Sequence, residues 1–82
     1  MKIISNYTKP MKTVCYKGTL FSVSEDSRWI ATDEFGAIRV HIGEESPRVG
    51  WKIWERGIEA ESYKIGYADL QDTDWEDTLV KV

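Results

Sequence analysis

Cysteine and histidine occur once each in this chain, as Cys15 and His41, and proline occurs only twice. A lone thiol excludes an intramolecular disulfide and leaves no thiolate set for a metal. It fits a reducing compartment, and within an apolar strand it is expected to fill a small core position. A lone histidine means that any imidazole-based acid–base or nucleophilic site must be built on His41. His41 alternates with Arg39 along one strand pattern, so it is expected on a solvated face. The chain also lacks a glycine-rich phosphate loop, a nucleophile elbow and a paired-histidine zinc motif. Carboxylates are plentiful, but a catalytic pair needs a cleft that separates their pKa values, which so short a β chain rarely builds. The expectation is a protein without catalysis, metal or cofactor.

Long apolar runs are missing as well. No stretch approaches the roughly 18 apolar residues of a membrane span. Residues 1–7 lack the apolar centre and small-residue cleavage site of a secretory leader. These absences point to the cytoplasm and away from a membrane partner. Strong positive charge is also absent, since the net charge is −3. Residues 1–40 carry six bases and four acids, whereas residues 41–82 carry five bases and ten acids. Acidity is densest at Asp69, Asp72, Asp74, Glu76 and Asp77, with no base among them. General nucleic-acid affinity is disfavoured by this balance, because it rests mostly on phosphate neutralisation by Lys and Arg.

What the chain does contain is aromatic side chains on a period of two. Its 82 residues allow one domain with a thin core, and four Trp, four Tyr and two Phe supply large apolar surfaces for it. In residues 37–42, Ile38, Val40 and Ile42 alternate with Ala37, Arg39 and His41, the pattern of a strand. Residues 63–68 repeat it, with Tyr63, Ile65 and Tyr67 against Lys64, Gly66 and Ala68. Lys17-Gly18 separates two further strand-like segments at 13–16 and 19–23 and reads as a hairpin turn. Asp33-Glu34-Phe35-Gly36 joins 28–32 to the strand from Ala37, and suits a type I turn closed by a left-handed glycine.

Residues 43–50 read as a surface loop, 51–55 as a strand, Arg56-Gly57 as a turn, and 58–68 as a long or bulged strand with Glu59 and Glu61 on its wetter side. Thr73-Asp74-Trp75-Glu76 matches a capping box, so one short helical turn is expected before a last strand-like segment at 79–82. The fold class is therefore mostly β: a small antiparallel barrel or strongly twisted sheet of roughly five to seven strands.

Candidate contact residues follow from parity and charge. Trp29 is expected in the core, and Trp75 is expected to clamp the C-terminal segment onto the sheet. Trp51 and Trp54 have opposite parity on one expected strand, so one sheet face cannot hide both. Trp and Arg dominate protein interfaces, so an exposed Trp51 or Trp54 beside Arg56 is a candidate anchor. The acidic stretch admits a plain reading: Asp74, Glu76 and Asp77 favour the start of a helical turn. It also admits a functional one, in which Asp69, Asp72, Asp74 and Asp77 present a negative surface to a basic partner. Calcium is disfavoured, because the loop glycine and terminal bidentate Glu of an ion-binding loop are missing.

Two stretches carry a family likeness. Residues 29–36, ending Asp33-Glu34-Phe35-Gly36, and residues 74–82, with Trp75-Glu76-Asp77-Thr78-Leu79, resemble a group of small tailed-bacteriophage proteins. In that group a strand ends Asp-x-x-Gly and the chain closes on Trp-x-(Asp/Glu)-(Ser/Thr)-Leu. Lys12-Thr13-Val14 followed by Tyr16-Lys17-Gly18 is similar to its opening, while most of residues 43–62 fall outside the likeness. The resemblance implies a phage accessory protein, of a kind that often binds a host protein and blocks it; it brings no catalytic residues.

The leading expectation is thus a non-enzymatic binder of a host protein. The alternative is a small-ligand or single-stranded nucleic-acid barrel, with Trp54, Tyr63 and Tyr67 as stacking platforms among Arg39, Lys52, Arg56 and Lys64. A homo-oligomer joined through an open sheet edge is a third.

Overall fold

The computed structural model describes residues 11–57 and 60–82, and these are mostly β. The elements are β1 (Met11–Tyr16), β2 (Thr19–Ser24), β3 (Ser27–Thr32), β4 (Ala37–Ile42), β5 (Arg48–Val49), β6 (Trp54–Glu55), β7 (Glu61–Tyr67), one 3-10 turn (Trp75–Asp77) and β8 (Val80–Lys81). There are eight strands among the described residues rather than five to seven; three span only two residues, too short for a period to register. Hydrogen bonding groups them as a β1–β2 hairpin, a four-stranded sheet in the order β7-β4-β3-β8, and a β5–β6 hairpin. Every pairing is antiparallel, and the strands are not closed into a barrel by hydrogen bonds.

Both marked turns form for the reasons their residues suggest. Lys17 (φ 50°) and Gly18 (φ 82°) are both left-handed, as a two-residue hairpin loop requires. In the β3–β4 turn, the Gly36 amide donates to the Asp33 carbonyl at 3.0 Å. The Asp33 Oδ1 accepts from the Phe35 and Ala37 amides at 2.9 and 3.0 Å, so one carboxylate holds the whole turn. Gly36 has φ +86°, and a Cβ there would collide with the Ala68 carbonyl oxygen. Glycine is required twice over, by conformation and by space.

Pairing register gives the sheet two distinct faces. On the inner face Ile30, Ile38 and Val40 meet Tyr16 and Val23 of the β1–β2 hairpin, with Val14, Phe21, Tyr63, Ile65, Val80 and Val82 packed around them. Polar groups within this layer are satisfied. The Tyr16 hydroxyl bonds Thr32 Oγ1 at 2.7 Å and donates to the Thr78 carbonyl at 3.1 Å. Thr78 Oγ1 accepts from the Thr32 amide at 2.9 Å and reaches the Thr32 and Trp75 carbonyls at 3.0 and 2.6 Å. One threonine therefore ties the C-terminal turn to the edge of β3.

Three local expectations are corrected. Cys15 is exposed rather than in the core, because Val14 and Tyr16 take the inward positions of β1 and period two turns Cys15 outward. The N-cap of the 3-10 turn is Asp74, whose side chain accepts from the Glu76 amide, and not Thr73. Residues 51–55 are not one strand. Gly50 donates to the Ile53 carbonyl at 2.8 Å and Lys52 is left-handed (φ 68°), so 48–55 is a small hairpin flap with Trp51 and Lys52 at its tip. The Ala60 amide bonds the Gly57 carbonyl at 3.2 Å, a turn following Arg56, and β7 starts at Glu61. Ile58 and Glu59, part of the strand expected from 58, lie outside the described residues.

Candidate functional site

The β3–β4 turn is the meeting point of three segments. Its Glu34 amide donates to the Lys52 carbonyl of the flap at 3.1 Å, while its Gly36 carbonyl accepts from the Ala68 amide at 2.7 Å. The flap tip and the start of the acidic stretch are thereby held against the same turn. Phe35 at the turn and Trp51 at the flap tip are 70% and 81% exposed. The Lys52 ammonium lies 4.6 Å from the Trp51 ring centroid and 6.0 Å from that of Phe35, bridging the two aromatics. Such cation–π contacts orient exposed rings at about 0.5–1 kcal/mol each. Phe35 is an addition to the sequence reading. Its signal was its place at the third position of Asp-Glu-Phe-Gly, where a turn residue has no strand neighbour to cover it.

Trp54 behaves differently from Trp51. Its indole Nε1 donates to the Thr32 carbonyl at 3.1 Å, and its ring meets Trp75 edge-on at 6.0 Å and 85°. It is the anchor that pins the flap to the end of β3, and Trp75 is the partner that joins the C-terminal turn to it. One of the two flap tryptophans, Trp51, is exposed, but the cause is the tip turn between them and not the alternation along one strand from which the expectation was drawn.

The acidic residues stay in water. Asp69, Asp72, Asp74 and Asp77 are all exposed. Asp69 accepts from the Gln71 amide and Asp74 from that of Glu76, both at 3.0 Å, so two of the four also shape local turns. Among the described residues no group of three His, Cys, Asp or Glu converges as a metal site would require. Arg56 is exposed and donates to the Ala60 carbonyl at 3.1 Å. It opens onto a groove of about 480 Å³ on the second face of the sheet, together with Arg39, Trp54, Ile53, Asp33 and Ser62.

His41 is the largest departure from expectation. It is 2% exposed, not solvated, because β4 is an inner strand and register flanks it with Trp29 of β3 and Ser62 of β7. Neither ring nitrogen has a hydrogen-bond partner, and the adjacent Trp29 Nε1 is buried and unpartnered too. Burial first, and the nearby Arg39 cation second, push the imidazole pKa down to about 4. At neutral pH His41 is an uncharged filler. Trp29, expected in the core, is half-buried on this second face with the Lys81 ammonium 5.7 Å from its ring.

The stacking platform expected for a nucleic-acid barrel is not gathered on one surface. Tyr63 packs against the inner core, its hydroxyl accepting from the Ser24 amide at 3.0 Å, whereas Trp54 lines the groove on the opposite face. Tyr67 is exposed at the end of β7, with the Lys64 ammonium 4.5 Å from its ring. No helix among the described residues is long and apolar enough to cross a membrane. No protein-family model, no curated protein and no solved structure matches this chain.

Proposed function

We propose that this chain is a non-enzymatic interaction module whose exposed Phe35–Trp51 tip docks onto a protein partner. The observation that carries this reading is Trp51, 81% exposed on a flap that is otherwise tied down through Trp54 and Glu34. A chain with so thin a core forgoes the burial of a tryptophan here, yet the backbone around it is fixed. A rigidly presented, solvated Trp loses little entropy on docking and is the residue type most enriched in interface hot spots. Asp69, Asp72, Asp74 and Asp77 would steer the encounter toward a basic surface. The resemblance to small phage proteins supports a host protein as that partner, met in the host cytoplasm and inhibited or modulated by the contact.

The test is affinity capture from host lysate, run in parallel with the wild type and Trp51→Ala. A partner retained by the wild type and lost at least tenfold with Trp51→Ala is the expected result. Equal retention by both proteins overturns the tip as the docking surface. Reversal of Asp72, Asp74 and Asp77 to Lys should then slow association with the identified partner and flatten its salt dependence.

A further inference from the structure

We infer that the groove on the second face binds a small organic oxyanion, with its carboxylate or phosphate between Arg39 and Arg56 and its body along Trp54 and Ile53. The first ground is an uncompensated pair of like charges. Register sets Arg39 of β4 directly opposite Lys64 of β7, an arrangement that destabilises a sheet unless an anion answers it. Acids outnumber bases in the chain by fourteen to eleven, so a carboxylate partner was available. None is used. Arg48 pairs with Glu45 on the flap, while Lys64 donates to the Tyr67 hydroxyl.

The second ground is what the two acids at the groove do instead. Asp33 directs Oδ1 to the Phe35 and Ala37 amides and so serves the turn. Glu55 lies folded across Gly50, where an added Cβ would come within 2.5 Å of its Cγ. Neither forms an ion pair with an arginine. Arg39 is half-buried, which makes a guanidinium without a direct ion pair costly. Arg56 brings a second guanidinium to the same groove with only Nη1 engaged. Guanidinium forks match carboxylate and phosphate oxygens better than any neutral ligand.

The third ground is the wall. Trp54 is locked by its bond to the Thr32 carbonyl and by the edge of Trp75, so its face is fixed in advance. Ile53, Ala31 and Ala37 complete an apolar lining beside the cations. A volume of about 480 Å³ suits a small ligand with a planar body better than a bare ion. This inference is independent of protein docking at the Phe35–Trp51 tip.

The experiment follows the Trp54 indole and arginine Nε resonances by ¹H–¹⁵N NMR during titration with phenyl phosphate, benzoate, inorganic phosphate and benzyl alcohol. Saturable shifts with phenyl phosphate or benzoate are expected, with inorganic phosphate weaker by roughly tenfold and benzyl alcohol silent. The first two probes tell a phosphate head from a carboxylate. Arg39→Gln should weaken binding at least tenfold while keeping a dispersed spectrum. The exposed Arg56→Gln provides the same check with little risk to folding, and Arg48→Gln should leave binding unchanged. Absence of saturation with either aromatic anion overturns the site. So do equal shifts in Arg39→Gln and Arg56→Gln, or equal affinity for benzyl alcohol.

Discussion

The two faces of the four-stranded sheet are built to different standards. On the inner face, apolar side chains interlock and each buried hydroxyl discussed above has a partner, as Tyr16, Thr32 and Thr78 show. On the second face the Trp29 and His41 ring nitrogens are buried without partners among the described residues, and beside them lies an open groove lined by Arg39 and Arg56. A unique fold needs only one well-packed layer. The other can hold polar groups at a cost in stability, and groups held at such a cost are where binding is to be sought.

The largest expected effect lies on the inner face. Ile30→Ala should cost about 4 kcal/mol, because Ile30 is fully buried and its neighbours are fixed strands that cannot collapse into the cavity. Chemical denaturation measures it. A comparable loss for Ala31→Gly on the opposite face would break the contrast between the layers.

Next is a pH response from His41. Its folded pKa of about 4 lies below the unfolded value of 6.5, so the unfolded chain binds the proton first. Stability should be level above pH 6.5, fall by up to about 3 kcal/mol between 6.5 and 4, and level off below for this group. His41→Leu should remove that slope and raise neutral-pH stability by about 1 kcal/mol, since two unpaired buried nitrogens disappear. An unchanged slope in His41→Leu would mean that other groups cause the acid sensitivity.

Thr78→Val should cost about 2 kcal/mol, less than the Ile30 cavity, by orphaning the Thr32 amide while keeping the shape. Hydrogen exchange should rise first at the Thr32 amide and through residues 75–82. Trp51→Ala is the smallest change: within about 0.5 kcal/mol in stability, because the side chain is almost wholly in water. A loss several times larger would show that Trp51 supports the fold and is not free to dock.

Much of the fold was legible locally. The strand expected at 37–42 matched β4 in its bounds, and Lys17-Gly18 and Asp33–Gly36 turn the chain where expected. The failures share one cause. Alternation set His41 correctly on the face opposite Ile38 and Val40, but could not say what lay over that face. Cys15 was read as core from residue type, and the other face of β1 holds the core. His41 was read as solvated from its polar neighbours, and it is buried on an inner strand between Trp29 and Ser62. In the flap, a left-handed Lys52 gave no signal, since lysine seldom adopts that conformation.

By itself, then, the sequence determined the strand period, the two hairpin turns, the acidic C-terminal half and the absence of companions for Cys15 and His41. Only the tertiary structure decided that Trp51 is bare while Trp54 is an anchor, that His41 is buried without a partner, and that Arg39 faces Lys64. Those outcomes depend on which strands become neighbours and what covers the second face, and neither is encoded within any short window of the chain.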